Sequence, residues 1–315
     1  MDSLGTPIEL HSNNSELIRI LPKFAYNINE GWLSDKGRQA FDGLNFNRAT
    51  KVLKKMPDKS FKAITWEQGI QEAVKVIQSI QGEEIKGEIG PFVDVEAVTA
   101  FRDLLHLLGC ERISYNNTET LQHDFRCQYL MGSTIRGIDY ADTILIVGVN
   151  LRTTVPVLNA RIRRATLKCN VKVGVIGAGE ELLYDYIHLG NSTKTLEEIA
   201  NKKHPFSKVL EDAELPLVIT SSDVLRRQDG GDIERVLKQL CVAHKVVKPE
   251  ISWNGYNVLL KSIAEAGVYD IGVESNITEE ERNKPIKLLY LLGVDNMKNI
   301  PTNCFTIYQV RFKFT

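Results

Sequence analysis

The chain has no Cys-x-x-Cys pair, no Lys or Arg before Arg19, no apolar run longer than the five residues Leu288 to Leu292, and no excess of charge of one sign. Each absence removes a class of protein. Five scattered cysteines, Cys110, Cys127, Cys169, Cys241 and Cys304, are odd in number and form no disulfide framework, which fits reduced thiols in a reducing compartment. The opening MDSLGTPIELHSNNSEL carries acids and no Lys or Arg, so it reads as neither a signal peptide nor a basic transit peptide. A run of five is far short of the ~18 residues of a membrane-spanning helix, so membrane association is expected only through a partner. With 39 basic and 40 acidic residues the net charge is −1, and no electrostatic footprint for nucleic acid or an acidic membrane is visible. No Gly-x-Ser-x-Gly elbow, Walker loop or His-Glu-x-x-His motif occurs.

What is present is ordinary for a globular α/β protein: 315 residues, 43% hydrophobic and 25% charged. Ile8–Leu10 and Leu17–Leu21 flank the polar cluster His11 to Ser15 and predict a hairpin. Residues 22 to 60 are polar, rich in Gly and Lys, and read as irregular. Ile70, Ala73, Val74, Ile77 and Ile80 then recur at helical spacing after Trp66 and stop at Gly82. A second helix is expected after the N-cap candidate Asp94, closed by Gly109, and a short strand near Glu88-Ile89 lies between the two. Apolar runs of the buried parallel kind fall at 143–149, 171–176, 217–220, 286–292 and 305–308. They are separated by helical patterns such as 155–167 and 233–242, so doubly wound parallel sheets are expected. The division expected is 1–60 as a β-rich piece and 61–315 as α/β, with internal lobes at about 61–200 and 201–315.

Several constellations have both a functional and a plain reading. Gly174, Gly177 and Gly179 end a strand like a dinucleotide loop, but Leu182 occupies the third glycine position and Glu180 and Glu181 have the wrong sign for phosphate. A strand-to-helix turn is the stronger reading. Cys110, His123 and Cys127 faintly resemble zinc spacing, yet a structural site needs four ligands and a tighter first pair, so buried thiols and a surface histidine are favoured. His106, His188 and His204 read as packing or surface residues. Arg161, Arg163 and Arg164, and the cluster Lys202-Lys203-His204, form basic faces, usually solvated, with partner contact as the alternative.

Residues 27 to 43, NINEGWLSDKGRQAFDG, place Ser34 in a Gly-rich loop where it has the look of a nucleophile or phosphate contact. The stretch resembles the Asn-x-x-Gly-x-Leu-Cys-x-Lys-Gly-Arg segment of molybdopterin oxidoreductases, in which the Cys ligates an iron–sulfur cluster and the Lys lies between cluster and pterin. Ile64-Thr65-Trp66-Glu67 and Ala141 to Asn150 continue the resemblance. The blocks MDSLG, ILPKFAYNINEGWLSDKGRQAFDGL, VPVLNARIRRA, HPFSKVL, LRRQDGGDI, LLYLLGVD and CFTIYQ resemble more closely the C-terminal part of the 75 kDa iron–sulfur subunits of mitochondrial NADH:ubiquinone oxidoreductase, respiratory complex I.

That resemblance implies a molybdopterin-oxidoreductase-like α/β fold, an N-terminal β hairpin region followed by mostly parallel, doubly wound sheets flanked by helices. It places the cluster-ligand positions at Asp2, Thr6 and Ser34, with the first falling before Met1. Oxygen donors do not replace the thiolates of a cubane cluster, so these positions are expected to be vestigial, with no catalytic or metal residue and no cofactor in this chain. The expected role is a structural, non-redox part of the matrix arm, peripheral on the matrix side of the mitochondrial inner membrane. Its expected partners are other matrix-arm subunits, including a cluster-bearing N-terminal segment or chain, with no nucleic acid and no membrane span. The family's cluster-bearing front segment and a lobe beyond residue 309 are unmatched, so a fragment, a split-gene product or a truncated variant is expected. The alternatives are a free-standing molybdopterin-type oxidoreductase, or a nucleotide-binding protein using a relict cofactor cavity.

Overall fold

The computed structural model describes residues 3–14, 16–46, 48–115, 125–273, 284–295, 301 and 303–310. They form two compact units, each assembled from two separated stretches: residues 1–40 with 121–263, and 41–120 with 264–315. This differs from contiguous lobes at 61–200 and 201–315. Strand partners far apart in the chain decide the division, and composition carries no record of which strand pairs with which.

The first unit begins with the expected hairpin, Ile8–Asn13 against Glu16–Pro22, antiparallel with a bulge at His11/Ser12. Its centre is a five-stranded parallel sheet in the order Tyr256–Leu259, Pro216–Ser221, Thr143–Val147, Lys172–Ile176, Ile187–Gly190. Every residue of Thr143–Val147 and Pro216–Ser221 is buried, as expected for central strands covered on both faces. Ile144, Ile146, Val173, Val175, Leu217 and Ile219 pack with Leu158 and Ile162 of the helix Pro156–Cys169. That helix has proline at its first position, where no backbone N–H is needed, and ends at Asn170 in the left-handed region.

The second unit holds a four-stranded parallel sheet in the order Phe305–Gln309, Leu288–Leu292, Ile85–Ile89, Ile113–Tyr115. The helix Trp66–Ile77 starts on a reciprocal cap between Thr65 and Gln68, and Val95–Leu107 starts on Asp94, whose Oδ1 accepts from Ala97 N at 2.8 Å. Phe101 of the latter meets Tyr290 edge to face at 4.9 Å. Residues 22–60 are more regular than expected. They contain the short helices Asp35–Arg38 and Phe41–Asn45 and the strand Val52–Lys55, which pairs with Phe61–Ile64. Among the described residues no helix is long and apolar enough to cross a membrane.

Candidate functional site

The loop that follows the hairpin is held by its own polar groups. Asn29, 1% exposed, donates from Nδ2 to Lys23 O and Trp32 O, both at 3.0 Å, pinning the two ends of the loop together. Glu30 and Gly31 both have positive φ, which turns the chain sharply between them. Ser34, 4% exposed, takes extended backbone angles and its Oγ accepts from Gly37 N at 3.3 Å, so it is the N-cap of the single helical turn Asp35–Arg38. Lys36 reaches across to donate to Thr153 O at 3.1 Å. Thr6 lies just before the first strand, and its buried Oγ1 has no hydrogen-bond partner among the described residues. Asp2 lies outside them. Thr6 and Ser34 share no direct hydrogen bond there. A path through Pro7 O, Lys23 and Asn29 connects their segments.

A charge cluster locks this loop to the helix Pro156–Cys169. The buried guanidinium of Arg161 donates to Asp139 Oδ2 at 2.6 Å and to Tyr26 O at 3.0 Å, and stands 3.5 Å from Glu30 Oε1. Arg164 bridges the same two carboxylates, Glu30 and Asp139. Arg163 donates to Leu183 O at 3.0 Å. Arg163 stays on the exposed side, as expected, whereas Arg161 and Arg164 work inside the unit and do not join a solvated or partner-facing basic face. Their acids, Glu30 and Asp139, lie far from them in sequence, so helical spacing alone hides the pairing.

A second concavity lies at the carboxyl ends of the parallel strands. The strand following Thr143–Val147 in the chain is its neighbour on one side, and Pro216–Ser221 is added on the other, which creates a topological switch point. There a crevice of about 250 Å³ is lined by Gly148, Gly177, Ser192, Asp223 and Arg227 among others. Gly148 has φ +65°, and a Cβ on it would lie 2.7 Å from Val224 Cγ2. His188 is an exposed surface residue whose Nε2 lies 2.8 Å from both Gly177 O and Asn191 Oδ1, on two residues that line this crevice. Gly177 does end a strand, but residues 178–186 form no helix and lead into the strand Ile187–Gly190. Neither a dinucleotide loop nor a strand-to-helix turn describes it. Nothing in the sequence marks Asp223, and Arg227 stands in the block LRRQDGGDI without a sign of this crevice, because strand order alone brings the two here.

The remaining candidates are plain. Cys110 is buried and its Sγ donates to Ile85 O, and His123 lies outside the described residues. His106 faces Glu111 at 3.7 Å, and His204 Nδ1 accepts from Phe206 N at 3.1 Å. Lys202 pairs with Glu211 at 2.7 Å.

The groups that the resemblance implies do not fit these residues. A cubane cluster needs soft sulfur donors, whereas Thr6 and Ser34 offer hydroxyls and the Ser34 hydroxyl already caps a helix. Residues 1–42 contain no cysteine. Elsewhere, burial pushes the Cys241 thiol up to about 12, the reverse of what a thiolate ligand requires. Among the described residues no three His, Cys, Asp or Glu side chains gather as a metal site.

Comparison with known proteins agrees with the loop and the sheets. The NADH-ubiquinone oxidoreductase NDSU1/NuoG-like 4Fe-4S domain matches residues 1–42. The chain is 34% identical over 312 residues to NADH dehydrogenase (ubiquinone) iron-sulfur protein 1, mitochondrial, of Solanum tuberosum, covering 98% of this chain and 42% of that protein. It is 34% identical over 328 residues to the NADH-ubiquinone oxidoreductase 75 kDa subunit of Reclinomonas americana, covering 98% and 47%. The chain thus spans less than half the length of these relatives. Acetylene hydratase from Pelobacter acetylenicus is a structural neighbour with a TM-score of 0.45 at 12% identity, over 84% of this chain and 41% of that one. Molybdopterin oxidoreductase sequences match residues 48–313, most of the chain, and this protein belongs to the molybdopterin oxidoreductase family.

Proposed function

We propose that the chain is a structural, non-redox-active part of the matrix arm of a respiratory NADH:ubiquinone oxidoreductase, in which it supports NADH-to-ubiquinone electron transport without carrying electrons. The observation that carries this reading is a 4Fe-4S domain match over residues 1–42 that contain no cysteine, with the Ser34 hydroxyl committed to a helix cap. Its partners are then other matrix-arm subunits, one of them a cluster-bearing segment or chain, and its place is peripheral, on the matrix side of the mitochondrial inner membrane. The hairpin and the loop after it, within residues 1–40, keep the shape of a cluster loop. On native gels of mitochondrial membranes the chain comigrates with the assembled complex, and the purified chain contains neither iron nor molybdenum. A soluble pool alone, or stoichiometric metal, overturns the reading.

A second reading, a nucleotide-type ligand in the sheet-edge crevice, is favoured by the position of that crevice at the switch point of a parallel sheet. It predicts thermal stabilisation by a guanine or pyridine nucleotide, worth roughly 2.7 kcal/mol at a hundredfold excess over Kd. An unchanged Tm across such nucleotides removes it.

A further inference from the structure

The loop 23–33 carries three large aromatic side chains that find no core. Phe24, Tyr26 and Trp32 are 68%, 54% and 67% exposed. The backbone beneath them is nonetheless fixed, because Arg161 donates to Tyr26 O and Asn29 ties Lys23 O to Trp32 O. Exposed aromatic rings on a rigid loop lose little conformational entropy on contact, and with arginine they are the residue types that dominate binding surfaces.

Beside the loop is a cleft of about 300 Å³ lined by Tyr26, Arg136, Tyr140 and Lys168 together with the charge cluster. The Arg136 guanidinium stands between two rings, 5.3 Å from the centroid of Tyr26 and 5.7 Å from that of Tyr140. The acids of the cleft, Glu30 and Asp139, are taken up by Arg161 and Arg164. Among the described residues Arg136 and Lys168 have no ion-pair partner, so the cleft presents two spare positive charges and no spare negative one.

We infer that this face docks an acidic segment of another polypeptide, whose carboxylates meet Arg136 and Lys168 while its apolar side chains cover Phe24, Tyr26 and Trp32. The inference rests on the reading of the chain as a subunit of a larger assembly and names the chemistry of one contact. A small anion would neutralise the cations and leave the rings in water. A symmetric contact between two copies would set like charges against each other.

Zero-length carbodiimide cross-linking of the assembled complex, followed by peptide mass spectrometry, tests it directly. An amide is expected between Lys168 Nζ and an Asp or Glu in an acidic stretch of a different polypeptide, and Lys168→Arg, which keeps the charge, loses that link. Acetylation of Lys168 is expected to be suppressed in the assembly relative to the free chain. Equal acetylation in both states, or a link only within this chain or to a second copy of it, overturns the inference. Comigration with an unprotected Lys168 sinks this inference alone, whereas absence of comigration sinks the subunit reading and this one with it.

Discussion

Arg161 is the residue on which the converted loop depends. Its buried guanidinium holds Asp139, Glu30 and the Tyr26 carbonyl at once. Removing one partner of a buried ion pair leaves uncompensated charge, at a cost of roughly 3–5 kcal/mol. Glu30 and Asp139 keep some solvent contact and retain Arg164, so Arg161→Ala is expected at the lower end, about 3 kcal/mol by urea denaturation. Arg163, on the exposed side of the same helix, is the control, and Arg163→Ala should stay within about 0.5 kcal/mol. Ser34→Ala removes a single cap and is expected to cost about 1 kcal/mol in the same assay.

At the scale of elements, close approach of backbones sets the constraint. Gly90 follows the strand Ile85–Ile89, and a Cβ there would lie 1.7 Å from Gly293 O. Gly90→Ala must push two strand ends apart, at about 3 kcal/mol, the upper part of the range for overpacking, with faster hydrogen exchange across Leu288–Leu292 as the readout. Gly43, in the helix Phe41–Asn45, has nothing within 4 Å of a Cβ, so Gly43→Ala is expected to be neutral or mildly stabilising. The buried strands at 143–147, 172–176, 216–221 and 288–292 were legible as apolar runs because covering both faces demands one, whereas Phe305–Gln309, expected to be of the same kind, is an edge strand with no buried residue. The caps at Thr65 and Asp94 were legible from local chemistry. Val52–Lys55, with two adjacent lysines, and Ile187–Gly190, at a sheet edge, lack that signature and were missed. Of the candidate site, the loop was readable because its residues adjoin in sequence. The Glu30–Asp139–Arg161–Arg164 cluster and the crevice were not, since chain folding alone brings their members together.

At the scale of the whole molecule, the interleaving of the two units governs what can be removed. The sheet of the second unit takes Ile85–Ile89 and Ile113–Tyr115 from before the first unit's main stretch, and Leu288–Leu292 and Phe305–Gln309 from after it. A chain ending at residue 263 loses two of those four strands. Amides of Ile85–Ile89 should then exchange at unfolded rates while those of Thr143–Val147 stay protected, because the first unit keeps all five of its strands. Protection of both sheets in that truncated chain would show that the second unit does not need its distal strands.

The serine cap at the head of Asp35–Arg38 has a consequence for biogenesis. A loop shaped by a bound cluster reaches its final form only after iron and sulfide are delivered, whereas one closed by a hydroxyl and an amide of its own chain is complete when translation and folding end. On the reading proposed above, closure of this loop needs no iron, and the loop is expected to form equally well in iron-starved and iron-replete cells.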